Sequence, residues 1–180
     1  MIKTAGYKYL KVQYLLFIFS CVVLSTVQAQ HGKGQAVQAN IIYHFTKYIN
    51  WPDHLKSGDF VIGVIGESQL MSALEEAVAN KTVHNRHIVI KSFRTSATTY
   101  PCHILFISED ESDYLKRIVA ATAGSPTLLV SETEGAAYRG SCINFVVVDD
   151  RLRLEINKKN IEKRDLNIAT ELLQLGKVIK

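Results

Sequence analysis

Short, wholly apolar runs separated by segments of helical period constrain this chain more than any other feature. Phe60-Val61-Ile62-Gly63-Val64-Ile65-Gly66, Cys102-His103-Ile104-Leu105-Phe106-Ile107 and Thr127-Leu128-Leu129-Val130 show no polar alternation through their centres. A strand of that kind is covered on both faces, as in a parallel sheet sandwiched by helices. His87-Ile88-Val89-Ile90-Lys91-Ser92-Phe93 reads as another strand. Between them, Ser68 is placed to cap a helix carrying Leu70, Met71, Leu74, Ala77 and Val78 inward, and Ser112 to cap one carrying Tyr114, Leu115, Ile118 and Val119. Upstream, from Val37, apolar residues recur at Ile41, Phe45, Tyr48 and Ile49, with Ile42 beside them. Pro52 stops that helix by disfavouring a helical Trp51.

The chain's end departs from this alternation. Ile143-Asn144-Phe145-Val146-Val147-Val148, Asp149-Asp150 and Arg151-Leu152-Arg153-Leu154-Glu155-Ile156 predict a hairpin whose second arm is an antiparallel edge strand with one wet face. A helical tail is expected to follow, with Leu166, Ala169, Leu172, Leu173 and Leu175 facing the core. The expected fold class is therefore α/β: a Rossmann-like three-layer sandwich, mainly parallel, with a C-terminal antiparallel hairpin.

Residues 1–29 read as a secretory signal peptide. Lys3, Lys8 and Lys11 precede the apolar run Tyr14 to Leu24, and Val27-Gln28-Ala29 offers a cleavage site after Ala29. A membrane span needs about 20 apolar residues, more than this run supplies. An uncleaved anchor is the main alternative. Lipid attachment at Cys21 fits poorly because of Phe19. Residues 30–36 read as a mobile polar leader and 37–180 as one domain. Of 21 Lys and Arg, three fall in the signal, leaving 18 against 17 Asp and Glu. The basic balance thus belongs to the signal, and the mixed C-terminal charges read as a solvated face with no nucleic-acid role. The expected mature protein is periplasmic, with no membrane span after signal removal.

Sites for common chemistries are poorly formed. Gly63-Val64-Ile65-Gly66-Glu67-Ser68 lacks the glycine spacing of a dinucleotide turn, and Glu67 would repel a phosphate. His84 and His87 straddle a loop-to-strand change, His44 stands alone on its helix, and no Cys or His pair has zinc spacing. Cys102 and His103 are neighbours in a strand, so their side chains diverge and form no dyad. Glu109-Asp110-Glu111 suits a helix start through the dipole. Neither catalytic residues, cofactor nor metal ligands are assigned.

Two features remain. Cys102 and Cys142 follow the signal, and an oxidising compartment permits a disulfide between them; two buried thiols are the alternative. Trp51, the only tryptophan, lies in Tyr48-Ile49-Asn50-Trp51-Pro52. Asn50, Trp51 and Pro52 form a candidate partner-contact turn, unless the indole closes the bottom of the core.

These same residues carry a resemblance. Ile41-Ile42-Tyr43-His44-Phe45-Thr46-Lys47-Tyr48-Ile49-Asn50-Trp51-Pro52 resembles the opening "Y-x-F-x-K-[YF]-x-x-W-P" helix of YfiR-like periplasmic proteins. Phe60 to Gly66, Cys102-His103-Ile104-Leu105-Phe106-Ile107-Ser108, Gly140-Ser141-Cys142-Ile143-Asn144-Phe145 and Leu152-Arg153-Leu154-Glu155-Ile156-Asn157 are similar, in order, to the family's later segments. The resemblance implies a non-enzymatic regulator. Its partner would be the periplasmic part of an inner-membrane sensor or diguanylate cyclase, which it represses, restraining cyclic-di-GMP and biofilm formation. A homodimer is a further expected association. Better-known members bond the cysteine of "C-H-I-L-F-I-S" to one in the first strand, where this chain has Ile62-Gly63; Cys142 stands where many have Gly or Met. Any bond here would therefore pair Cys102 with Cys142. The alternative class is a periplasmic small-ligand receptor or hydrolase using the C-terminal edge of the sheet.

Overall fold

A computed structural model describes residues 34–66 and 68–179. The signal, the Ala29 site and the start of the leader lie outside the described residues, as does Glu67. Residues 34–36 already belong to the first helix, α1 (34–48 among the described residues), so part of the expected mobile leader is helical. No helix of the described residues is long and apolar enough to cross a membrane.

After α1 come β1 (Ile49–Asn50), β2 (Phe60–Ile65), α2 (Ser68–Val78), β3 (Thr82–Val83), β4 (Arg86–Ser92), β5 (Ile104–Ile107), α3 (Leu115–Ala121) and β6 (Leu128–Ser131). The chain ends with β7 (Ile143–Val148), β8 (Arg151–Asn157), α4 (Lys158–Glu162), β9 (Asn167–Ile168), α5 (Thr170–Gln174) and β10 (Lys177–Ile179). Eight strands form one sheet in the order β10-β8-β7-β6-β5-β2-β4-β3. Its centre is parallel: β2 pairs with β4 and β5, β5 with β6, and β6 with β7. All residues of β5 and β6 are buried, as the uninterrupted apolar runs require of strands covered on both faces.

Gly63 and Gly66 serve this sheet and its first turn. A Cβ at Gly63 would lie 2.7 Å from the Phe93 ring and 2.9 Å from Leu105 Cδ1, so β2 has no side chain where the neighbouring strands lean over it. Gly66 has φ +94°, which turns the chain toward α2.

Several expectations need correction. The acidic segment Glu109–Tyr114 is a 3-10 helix, and Tyr114, not Ser112, occupies the N-cap of α3, with its ring exposed. The side chain of Ser68 lies outside the described residues. The β7–β8 hairpin forms as expected around Asp149 and Asp150, both at positive φ, the backbone of a tight hairpin turn. However, β8 is not the sheet edge. The tail is not one helix: Asp165, at positive φ, ends the segment after α4, β9 pairs with β1, and β10 returns parallel to β8.

Candidate functional site

The N-terminal ends of β2 and β5 are tied together by aromatic and charged side chains. Helix α1 stops at residue 48, and β1 then alternates: Ile49 is buried, Asn50 exposed, Trp51 buried. Trp51 is only 7 % exposed, stands edge-on to Phe60 at 5.0 Å, and donates Nε1–H to the His103 carbonyl at 3.2 Å. It is therefore a core residue and not an exposed anchor; of the proposed turn only Asn50 is exposed, with Pro52 half-buried. The period-2 alternation of a strand replaced the helical period and turned the indole inward.

His103 is the hub. Its ring stacks on Phe60 at 4.4 Å. The Val61 N–H donates to Nδ1 at 3.1 Å, which places the proton on Nε2, facing the Leu55 carbonyl at 3.1 Å. Arg86 donates to the carbonyls of Gly58 and Asp59, with its guanidinium 2.9 Å from the same Nε2. Burial pushes the imidazole below its ordinary value; the Leu55 carbonyl opposes this and the Arg86 charge adds to it. A neutral histidine held on both nitrogens by backbone is a structural member, with no lone pair left for a substrate.

Cys102 and Cys142 are buried free thiols. Of the two alternatives the structure has the buried thiols and not the disulfide: Cys102 precedes β5 and Cys142 precedes β7, with β6 lying between them. Two strand spacings separate the cysteines by about 10 Å, beyond the roughly 7 Å limit for bridging Cα atoms. Burial raises the Cys102 thiol to about 12 and the Cys142 thiol to about 11, the latter against the nearby Arg164 charge. Ser131 and Ser141 form a buried chain, with Ser131 Oγ donating to Ser141 Oγ at 2.8 Å and Ser141 Oγ to the Ile143 carbonyl at 3.0 Å. No histidine enters it. Among the described residues, no group of three His, Cys, Asp or Glu side chains could hold a metal.

The accessible apolar surface lies at the other side of the fold. Ile41, His44 and Tyr48 of α1, Leu152 and Leu154 of β8, and Leu172 and Leu175 around α5 line a groove of about 370 Å³. A second hollow of about 330 Å³ lies beyond Leu175, between Val148, Arg153 and Gly176. Leu175, Val147, Val148 and Val178 are all strongly exposed. Ile41 and Tyr48 pack against the core as expected while their outer sides line this groove, whereas Leu175, also expected in the core, is exposed. Exposed apolar patches of this sort, rimmed by charge, mark contact sites for other molecules.

The order of these elements matches one family model over residues 35–177, described as YfiR/HmsC-like. The chain belongs to the YfiR/HmsC-like family. That match covers nearly all described residues, and the family is associated with periplasmic regulation in cyclic-di-GMP signalling. No curated protein matches the chain. Within the YfiR/HmsC-like frame, Tyr43 to Pro52 has a largely structural use: it delivers Phe45 against Phe145 and Trp51 under Phe60. The residues left over from that task, Ile41, His44 and Tyr48, form one wall of the groove.

Proposed function

We propose that this protein is a periplasmic, non-catalytic regulator that binds the periplasmic part of an inner-membrane signalling protein, a diguanylate cyclase, and lowers its output. The observation that carries this reading is the open apolar groove between α1, β8 and α5, bordered by the exposed Leu175. A surface of that kind favours association with another polypeptide, and family membership supplies the signalling context. The mechanism is a population shift: a regulator that binds the inactive conformer of a sensor domain more tightly holds the equilibrium there. The test is cyclic-di-GMP measured in the parent, in a deletion strain and in a Leu175→Asp strain. Deletion should raise cyclic-di-GMP. Leu175→Asp should reproduce the rise with an unchanged melting temperature, since the side chain is exposed. Unchanged cyclic-di-GMP on deletion removes the cyclase reading.

A further inference from the structure

We infer that a second surface of the regulator, an acid-rimmed cavity beside the β7–β8 hairpin, receives a basic segment of the same membrane partner. The inference rests on the proposed regulatory function and adds the charge of the partner. The cavity holds about 660 Å³ and adjoins the α1–β8–α5 groove at Leu152. Its floor is apolar, with Phe145 buried below and Val147 72 % exposed at the hairpin. Its rim carries Glu109, Glu132, Glu134 and Glu155, against the one cation Lys177.

These carboxylates are not consumed by the fold's own cations. Glu132 is held by Gln38 Nε2 at 2.8 Å and by the Glu109 backbone N–H at 3.3 Å. Asn144 Nδ2 reaches Glu155 at 3.5 Å. Among the described residues, none of the four makes a salt bridge; the two pairs present are Asp53–Lys56 and Lys158–Glu162. Four acids against one lysine give the hollow a net negative charge, and a surface of that sign is complementary to Lys or Arg. Tyr138, 64 % exposed on the 3-10 turn Ala136–Arg139 between β6 and β7, offers a ring face to such a cation. The apolar floor selects a polypeptide with alternating or adjacent apolar side chains over a small free cation.

The test uses the full exported chain in its host. A photoreactive phenylalanine analogue replaces Tyr138 in one strain and Leu175 in another, and crosslinked peptides are identified by mass spectrometry. From position 138 the expected product is an inner-membrane protein joined through a segment with net positive charge. Glu109→Gln combined with Glu134→Gln should lower that crosslink roughly 2- to 30-fold, the range for two exposed ion pairs. The same double variant should melt no lower than the parent, because it removes like charges. A crosslink at 138 to a neutral or acidic segment, or to a second copy of this chain, overturns the inference. So does a yield unchanged by the double variant. If position 175 captures an inner-membrane protein while 138 captures none, the basic-segment inference fails and the regulator stands. If neither position captures one, both fail.

Discussion

Replacing Trp51 separates a core role from a contact role. The indole is 7 % exposed and packs edge-on against Phe60. Truncating such a side chain to alanine removes its transfer free energy and leaves a cavity, together about 3–5 kcal/mol. The edge-to-face contact accounts for about 0.5–1.5 kcal/mol of that loss. The lost hydrogen bond adds little, since the His103 carbonyl keeps the Leu128 N–H at 2.8 Å and is not orphaned. Trp51→Phe retains most of the ring and loses one N–H bond, so it should cost only about 1–2 kcal/mol. The assay is urea unfolding of the mature protein followed by far-ultraviolet circular dichroism. Parent unfolding is followed in parallel by fluorescence of this sole tryptophan. Trp51→Ala within about 1 kcal/mol of the parent, at unchanged m-value, would refute the packing argument, because a buried indole cannot be removed so cheaply.

Other expectations follow from the same coordinates. Both thiols should resist a maleimide reagent at pH 8 in the native protein, since burial holds them near 12 and 11. After denaturation without reductant both should label; absence of label would establish a bond. Because the folded state depresses the His103 imidazole, the unfolded chain binds more protons below the ordinary value of about 6.5, so stability should fall as pH drops from 7 toward 5. His103→Gln should flatten that dependence, and an equal slope in parent and variant would assign it to other groups.

Much of the fold was legible because burial on both faces leaves a plain trace. The runs at 60–65, 104–107 and 128–130 have no polar interruption, and each lies in a central strand. The hairpin was equally clear, since the adjacent Asp149-Asp150 can adopt the left-handed turn that β7 and β8 require. The tail was not. Leu166 and Leu172 are buried, but the residues between them form β9, and Leu175 faces solvent. Local periodicity could not reveal that β9 has β1 as its partner, more than a hundred residues earlier. The site was half written in α1. Ile42, Phe45 and Ile49 make one stripe and go inside, whereas Ile41, His44 and Tyr48 make a second stripe beside it and line the groove. Two adjacent stripes are wider than one core-facing surface needs. The mixed character of the second, with an imidazole and a phenol among its members, was the available sign that it faces something other than the core.

The two ends of the sheet differ in how completely their polar groups are used, and this difference locates function. At the N-terminal end, His103 has both nitrogens committed, Arg86 donates to two carbonyls, and Trp51 donates to a third. Such a cluster fixes the approach of β2 to β5 and commits the imidazole and the indole N–H inside the fold. Around the β7–β8 hairpin the reverse holds. Val147 and Val148 stand in solvent, and among the described residues the carboxylates of Glu109 and Glu134 form no salt bridge. Folding alone would favour neither exposed valines on a hairpin nor unpaired acids round a hollow. Both would become favourable under the basic, apolar segment inferred above, and the crosslink from position 138 decides whether such a segment covers them.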